Sequence, residues 1–240
     1  MSHATHAAYT RMPSGIAVDL LRPAPEQIDF NDLAEVLSRI DHTGGRCASG
    51  IYSVAQHCVI GADAVARETG SDALAASFLF HAAHEAYLGR TEHAAFAAYT
   101  NWFAASVRLD PAFHTSMPRD TIMPAARRAA DAAFDDLKFA IMNTVHQAAR
   151  LEWPCSDAAM AKLLDVDRRL HNTEAVQLLG ETLPRDEPTL RVMGKLGLWP
   201  WPMAADEYRA RVERYAPRVG SLRGRQRSSI TRSVRASAAA

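Results

Sequence analysis

The sequence predicts an all-α fold, a compact helical bundle, and three observations support that prediction. Apolar residues recur at intervals of three and four in most segments, which is the spacing of one helix face. Alternating strand patterns are nearly absent, and only SGIAVDLL at residues 14–21 fits a short strand or an extended arm. Hydrophobic residues make up 48% of the 240 residues, enough to bury the core of one sizeable domain or two small ones.

Local signals place the individual helices. FNDLAEVLSRI repeats apolar residues at helical spacing, with Asn31 as its N-cap. The third helix starts at Ser71 or Asp72 and is apolar almost all round, so we expect it to be central and buried. A later helix begins after the sequence PCSD and stops near Gly180. The expected helices cover about residues 30–40, 53–69, 71–88, 119–151, 156–179 and 203–215.

Two further segments have distinctive compositions. Residues 91–118 contain five aromatic residues that could form a lid over a cleft or belong to the core, and burial tendencies favour the core; they are Phe96, Tyr99, Trp102, Phe103 and Phe113. From Pro217 onward there are six arginines and no acidic residue. This composition predicts a disordered basic tail at 217–240, after a helical domain of residues 1–216. The tail could contact RNA or DNA phosphates, or only keep the protein soluble.

Charge and cysteine content narrow the class of protein. Lysine plus arginine equals aspartate plus glutamate, 27 of each, so overall charge favours neither nucleic acid nor membrane as a partner. Three cysteines without a C-x-x-C spacing favour a reducing compartment over a cysteine-held zinc. The N-terminal sequence MSHATHAAYTRMPSG lacks an apolar signal region, and no apolar run is long enough for a membrane span. We therefore expect a cytoplasmic protein without membrane contact.

Polar residues occupy unexpected places on three of the expected helices. His57 lies at the edge of the apolar face of the second helix, and His81 and Glu85 continue the apolar line of the third. Asp167 falls in the middle of the apolar stripe of residues 156–179. An isolated buried carboxylate costs several kcal/mol unless it is neutralised.

A divalent metal would satisfy all of these groups at once, because imidazole nitrogens and carboxylate oxygens suit zinc, manganese, iron or cobalt. Taken singly, each residue has a simpler explanation: the histidines could be hydrogen-bonded core residues, and Asp167 could cap a helix or pair with an arginine. Helical periodicity alone does not show that the three groups meet in space.

Four sequence blocks, in this order and spacing, resemble the HD-domain phosphohydrolase superfamily, in the branch that contains the bacterial 5′-deoxynucleotidases and their phage and bacterial relatives. The blocks are SGIAVDLLRPAPEQIDFNDLAEVLSRI, YSVAQHCVI, LFHAAHEAYLG and LLDVDRRLHNTEA. A closing WPWPMAADEY is similar to the last helix of that branch, so the resemblance spans about residues 9–215. It implies a compact helical bundle with one divalent metal, held by a histidine, an adjacent His-Asp pair and a distant aspartate.

The resemblance implies a role for each matching residue. His57, His81 and Asp167 would be metal ligands, and Glu85 would be the general acid/base. The aspartate of the name-giving pair is replaced by Ala82, which offers no ligand atom.

The chain departs from the family at the substrate side as well. Arg90 replaces a second acid of the site, and His42 stands where relatives carry an arginine for phosphate. His42, Arg46 and Arg90 are the candidate substrate-binding residues, although Arg90 could instead pair with Glu85 and disable it. A loop arginine without a function is the other interpretation of Arg46. The family's substrate loop is also unmatched, since residues 91–96 read TEHAAF.

The sequence thus predicts a metal-dependent phosphohydrolase of nucleoside 5′-monophosphates or similar small phosphate esters, with a weakened site for zinc, iron, cobalt or manganese. His84, one turn from His81, could in principle assist as a ligand, but its different direction on the helix favours a supporting or surface role. One alternative is a catalytically inactive HD-fold protein that binds a nucleotide or a protein, and another is a helical scaffold with neither metal nor ligand. Relatives are often dimers, so a homodimer is a further expectation.

Overall fold

The computed structural model describes residues 8–109, 119–192 and 194–220. The all-α fold is confirmed, because eight α-helices and one small sheet make up the regular structure of these residues. The helices are α1 (Phe30–Leu37), α2 (Val54–Thr69), α3 (Asp72–Leu79), α4 (Glu85–Leu88), α5 (His93–Leu109), α6 (Arg119–Ala148), α7 (Asp157–Leu178) and α8 (Trp201–Tyr215). Short 3-10 helices at Pro25–Gln27 and Pro217–Val219 complete the described part.

The predicted short strand in SGIAVDLL is confirmed. Strand β2 (Ala17–Asp19) pairs antiparallel with β1 (Tyr9–Arg11), with Thr10 opposite Val18. The N-cap of α1 is Asp29 rather than Asn31, because the Asp29 carboxylate accepts a hydrogen bond from the Asn31 amide. Ser71 caps α3 as predicted, by accepting from the Leu74 amide.

Helices α2, α3 and α8 pack against one another and form the centre of the bundle, with α1 on α8 and α7 on α2. Gly61 lets α2 approach α3 closely: a Cβ at this position would lie 2.0 Å from the Phe78 ring. A side chain at this position would overpack the interface and force the backbone to shift. Gly61 therefore allows the close spacing of α2, which carries His57, and α3, which is followed by His81.

The single helix predicted for 71–88 is interrupted. Helix α3 ends at Leu79, residues 80–84 form a turn, and α4 begins at Glu85. The Phe78 carbonyl accepts from the His81 backbone amide at 3.1 Å and from the His81 ring at 2.6 Å. Both hydrogen bonds to the Phe78 carbonyl thus come from His81, and the i to i+4 hydrogen-bond pattern of the α-helix ends here.

Helix α5 and the exposure of its aromatic residues were not expected from the sequence. Tyr99 and Trp102 are largely exposed and Phe103 is 41% exposed, so the core interpretation of these three is wrong. Phe96 stacks on Phe134 of α6 with ring centroids 4.4 Å apart, which helps to pair the two helices. Phe113 lies outside the described residues, as does residue 221 onward of the predicted basic tail. No helix in the described part of the chain combines the length and apolarity needed to cross a membrane.

Candidate metal centre

The structure brings His57, His81 and Asp167 together from three elements. His57 lies on α2, His81 in the turn after α3, and Asp167 on α7, with one ligand atom of each within 4.8 Å of the others. Asp167 Oδ1 lies 3.1 Å from His57 Nε2 and 3.6 Å from His81 Nε2. The structure therefore places these three side chains close together, which helical periodicity alone could not establish.

His57 is completely buried, and its orientation is fixed by a carboxylate that the sequence analysis missed. The ring Nδ1 donates to Glu174 Oε1 at 2.7 Å, and the Tyr52 hydroxyl donates to the same oxygen at 2.7 Å. An N–H on Nδ1 directs Nε2 towards Asp167. A histidine whose second nitrogen is held by a carboxylate is the usual arrangement of a metal-binding imidazole.

His81 is oriented in the same manner by the backbone. Its Nδ1 donates to the Phe78 carbonyl at 2.6 Å, which leaves Nε2 facing Asp167. The interruption between α3 and α4 thus has a consequence for the site, because it supplies the carbonyl that fixes the His81 ring. Burial lowers the pKa of His81 to about 4, against the opposing charge of Asp167, so its imidazole is neutral at pH 7.

The three facing atoms need a cation or a proton between them. With Nδ1 protonated on both rings, two imidazole lone pairs and a carboxylate oxygen converge, and like acceptors repel. Burial lowers the pKa of His57, but the Glu174 charge and the Asp167 hydrogen bond outweigh it and raise the pKa to about 10. A proton on His57 Nε2 satisfies this geometry, and a divalent metal satisfies it as well.

A second group of potential ligands shares His57. His42, His57, His171 and Glu174 each place one ligand atom within 4.8 Å of the others, and together they could hold a metal ion. His42, His57 and Glu174 are buried, whereas the His171 side chain is 47% exposed. The sequence analysis missed His171 and Glu174, although both lie in LLDVDRRLHNTEA, and His171 follows Asp167 by one helical turn.

His42, expected at the phosphate position, is a buried neutral ring. It stacks on His57 with ring centroids 4.0 Å apart and 20° between the planes. Burial lowers its pKa to about 3, aided by the charge of His57 and opposed by Glu174. Neither ring nitrogen has a hydrogen-bond partner, and the 3.3 Å approach of Nε2 to Glu174 Oε2 lacks hydrogen-bond geometry. His42 therefore presents no positive charge at this position.

Glu85, Arg90, Glu92 and Arg46 form a chain of ion pairs. Arg90 Nη1 lies 2.8 Å from Glu85 Oε1, and Arg90 Nε lies 3.0 Å from Glu92 Oε1. The other Glu92 oxygen accepts from Arg46 Nη2 at 3.1 Å. Of the two alternatives for Arg90, the structure shows the pair with Glu85.

Glu85 is largely buried and only half satisfied. Its Oε2 is buried without a hydrogen-bond partner. Burial raises its pKa, whereas Arg90 and the nearby charge of His57 oppose the rise. Glu85 is therefore close enough to His57 for the two charges to influence each other.

The two remaining positions of interest lie beside the ligands. Ala82 is buried, in the turn that carries His81. His84 belongs to neither group of potential ligands among the described residues. Burial lowers the pKa of His84 to about 4, so it is a neutral imidazole outside both groups.

Comparison with protein-family models and with curated proteins gave no match. The chemical interpretation of the site therefore depends on its geometry and on the sequence resemblance.

Proposed function

We propose that the protein is a metal-dependent phosphohydrolase of the HD superfamily that acts on nucleoside 5′-monophosphates or similar small phosphate esters. One observation carries the proposal: the Nε2 atoms of His57 and His81 and the carboxylate of Asp167 converge, with both rings already fixed through Nδ1. These are the residues that the family resemblance designates as ligands. The geometry supports a metal site, and the resemblance supplies the reaction class.

The donor set fits a divalent transition metal. Two neutral imidazoles and one carboxylate, with open positions, are the protein ligands of many catalytic zinc sites and of non-haem iron sites. When bound, such an ion would polarise a phosphoryl oxygen and lower the pKa of a water molecule for attack on phosphorus. His57, His81 and Asp167 would hold the ion, and Glu174 and the Phe78 carbonyl would orient the two histidines.

Glu85 would transfer the proton in this reaction. Its raised pKa, caused by burial, suits a group that takes a proton from water and returns it to a leaving alkoxide. The ion pair with Arg90 stabilises the charged carboxylate and opposes this role. We therefore expect turnover only when Arg90 is drawn away from Glu85, for example by the negative charge of a bound substrate.

Arg90 and Arg46 would receive the substrate phosphate. Glu92 bridges the two guanidinium groups through its two carboxylate oxygens. A carboxylate held between two arginines marks a position where a phosphate could make the same charge-assisted hydrogen bonds. Glu92 would have to leave this position when the substrate binds.

The Glu85–Arg90 ion pair favours one competing function. If Arg90 never releases Glu85, the protein would bind a metal and a nucleotide, or a protein partner, without catalysis. Ala82 also favours this competing function, since the family's fourth ligand is missing at that position.

Phosphate release from a panel of deoxynucleoside 5′-monophosphates, with added cobalt, manganese or zinc, tests the proposal. We expect slow, metal-dependent release by the wild type, its loss in Asp167→Ala, and an increase in Ala82→Asp. The absence of phosphate release from both wild type and Ala82→Asp, with nucleotide binding retained, would establish the binding protein instead.

A further inference from the structure

Asp167 Oδ1 has a third imidazole beside it. His171 Nδ1 lies 3.3 Å from this oxygen, compared with 3.1 Å for His57 Nε2 and 3.6 Å for His81 Nε2. In a tetrahedral site with metal–ligand distances of about 2.0–2.1 Å, neighbouring ligand atoms are about 3.3 Å apart. Each of the three distances from Asp167 Oδ1 is close to this separation. Because His171 groups with His42, His57 and Glu174 rather than with His81 and Asp167, its ring must move to join these two in one coordination sphere.

The orientations of the rings agree with this arrangement. The His57 ring is tilted by 48° to His81 and by 59° to His171, with ring centroids 5.2 and 4.9 Å apart. Tilted rings at this separation can direct their in-plane lone pairs to one point. His42 differs, because it is nearly parallel to His57 at 4.0 Å. Stacked rings direct their lone pairs side by side, so His42 and His57 are poor joint ligands of a single ion.

His171 is also placed to move into a ligand position. It follows Asp167 by four residues on α7, so both side chains share one helix face. Its Nδ1 lies 3.0 Å from the Asp167 backbone carbonyl, to which it donates in this arrangement. Because nearly half of the side chain is exposed, rotation of the ring can break this hydrogen bond and free a nitrogen lone pair for the metal.

We infer that His171 is the fourth protein ligand of the metal, and that it replaces the carboxylate missing at Ala82. The ligand set is then His57, His81, His171 and Asp167, three imidazoles and one carboxylate. Such a set favours zinc or cobalt over manganese or magnesium. This inference rests on the proposed metal site and specifies how the chain completes it.

The test is binding of Co²⁺ and Zn²⁺ to the purified full-length protein, without substrate. The visible spectrum of Co²⁺ reports coordination number, and X-ray absorption of the zinc form reports how many imidazoles are bound. We expect one ion per chain with three imidazoles in the wild type. In His171→Ala we expect two imidazoles and an affinity about 100-fold lower, because a four-ligand site distributes its binding free energy over all ligands.

Three variants serve as controls. His93→Ala removes an exposed imidazole at the start of α5 and should bind as the wild type does. His42→Phe keeps a ring against His57 but removes one member of the other group of potential ligands, so retention of the ion in this variant places the ion outside that group. Adding Ala82→Asp to His171→Ala should restore most of the affinity, since it returns a carboxylate to the position where the family has one. Thermal unfolding of each variant in chelator checks that the fold is intact.

Three results would overturn the inference. If His171→Ala binds Co²⁺ with the wild-type affinity and spectrum, His171 is not a ligand, although the metal site and the proposed function stand. If His42→Phe weakens binding as much as His171→Ala while His81→Ala does not, the ion lies instead among His42, His57, His171 and Glu174. If the wild type binds neither ion, the inference and the proposed function fail together.

Discussion

The candidate site has two regions whose polar groups are partnered differently. The ligand side comprises His57, His81 and Asp167, and the substrate side comprises Glu85, Arg90, Glu92 and Arg46. On the ligand side, His57 and His81 are each held by an oxygen acceptor through Nδ1, and both direct Nε2 at Asp167. On the substrate side, Arg90 pairs with the largely buried Glu85, and Glu92 pairs with both Arg90 and Arg46. The arrangement of His57, His81 and Asp167 is thus preorganised for a cation, whereas under the proposed function Arg90 and Arg46 would have to exchange their ion pairs for a substrate.

The largest expected effect on metal affinity comes from a change at Glu174, which orients His57. Glu174→Gln keeps the shape of the side chain but removes its charge. Carboxylates that hold a ligand histidine typically contribute about 10–100-fold to metal affinity, so we expect a loss in that range for Zn²⁺, measured by competition with a chromophoric chelator. Glu181→Gln, an exposed glutamate beyond α7, is the matched control. An unchanged affinity in Glu174→Gln would show that the preorganisation of His57 does not depend on this carboxylate.

The same contrast explains how much of the site could be predicted from the sequence. The faces of the helices placed His57 and Asp167 towards the core, and the family resemblance linked them to His81. The preorganising contacts were not predictable, because Glu174 is distant in sequence from His57 and the carbonyl that holds His81 exists only where α3 ends. His171 carried a readable signal in its four-residue spacing from Asp167, but a single spacing of this kind is common on helices and does not by itself indicate a ligand.

The partners of the charged residues on the substrate side could not be predicted from the sequence for a different reason. Whether Arg90 pairs with Glu85 or extends to a phosphate depends on side-chain torsions, which periodicity does not constrain. The exposed aromatic residues of α5 show the same limit, since hydrophobic composition favoured the core while the packing of α5 on α6 leaves Trp102 76% exposed. The helices of the bundle were readable because burial imposes a period on them.

A smaller effect is expected from opening the substrate side at Glu92. In Glu92→Gln, Arg46 and Arg90 lose their shared carboxylate and become available to an anion. Since exposed ion pairs contribute about 0.2–1 kcal/mol, we expect inorganic phosphate and deoxynucleoside monophosphates to bind about two- to five-fold more tightly at fixed ionic strength. Calorimetric titration measures this change.

Glu187→Gln provides the control for Glu92→Gln, because it removes a glutamate from another surface pair, with Arg168 at 3.1 Å, outside the site. Weaker phosphate binding in Glu92→Gln than in the wild type would indicate that Glu92 positions the arginines for the substrate rather than competing with it.

The last prediction concerns stability and a cluster of ion pairs, here called the surface clamp, formed by Glu68 of α2 with Lys162 and Arg169 of α7. Glu68 near the end of α2 accepts from Arg169 and Lys162 of α7, at 2.8 and 2.6 Å to one of its oxygens. The hydrogen bond from Arg169, followed by Lys162, lowers the pKa of Glu68 to about 2, although partial burial opposes the shift. Because the pKa is lower in the folded state, the stabilisation is present above the unfolded pKa and is lost as the pH falls from about 4.5 to about 2.

We therefore expect Glu68→Gln to lower the free energy of unfolding by about 1 kcal/mol or less at pH 7, after allowance for solvent screening of these exposed groups. The difference from the wild type should shrink in acid, as measured by urea unfolding at several pH values. Glu35→Gln, which removes the i,i+4 ion pair with Arg39 away from α2 and α7, is the control. If Glu68→Gln lowers Zn²⁺ affinity as strongly as Glu174→Gln does, the clamp between α2 and α7 sets the ligand geometry, and the preorganisation of the ligand side would be a property of helix docking rather than of the contacts to His57 and His81.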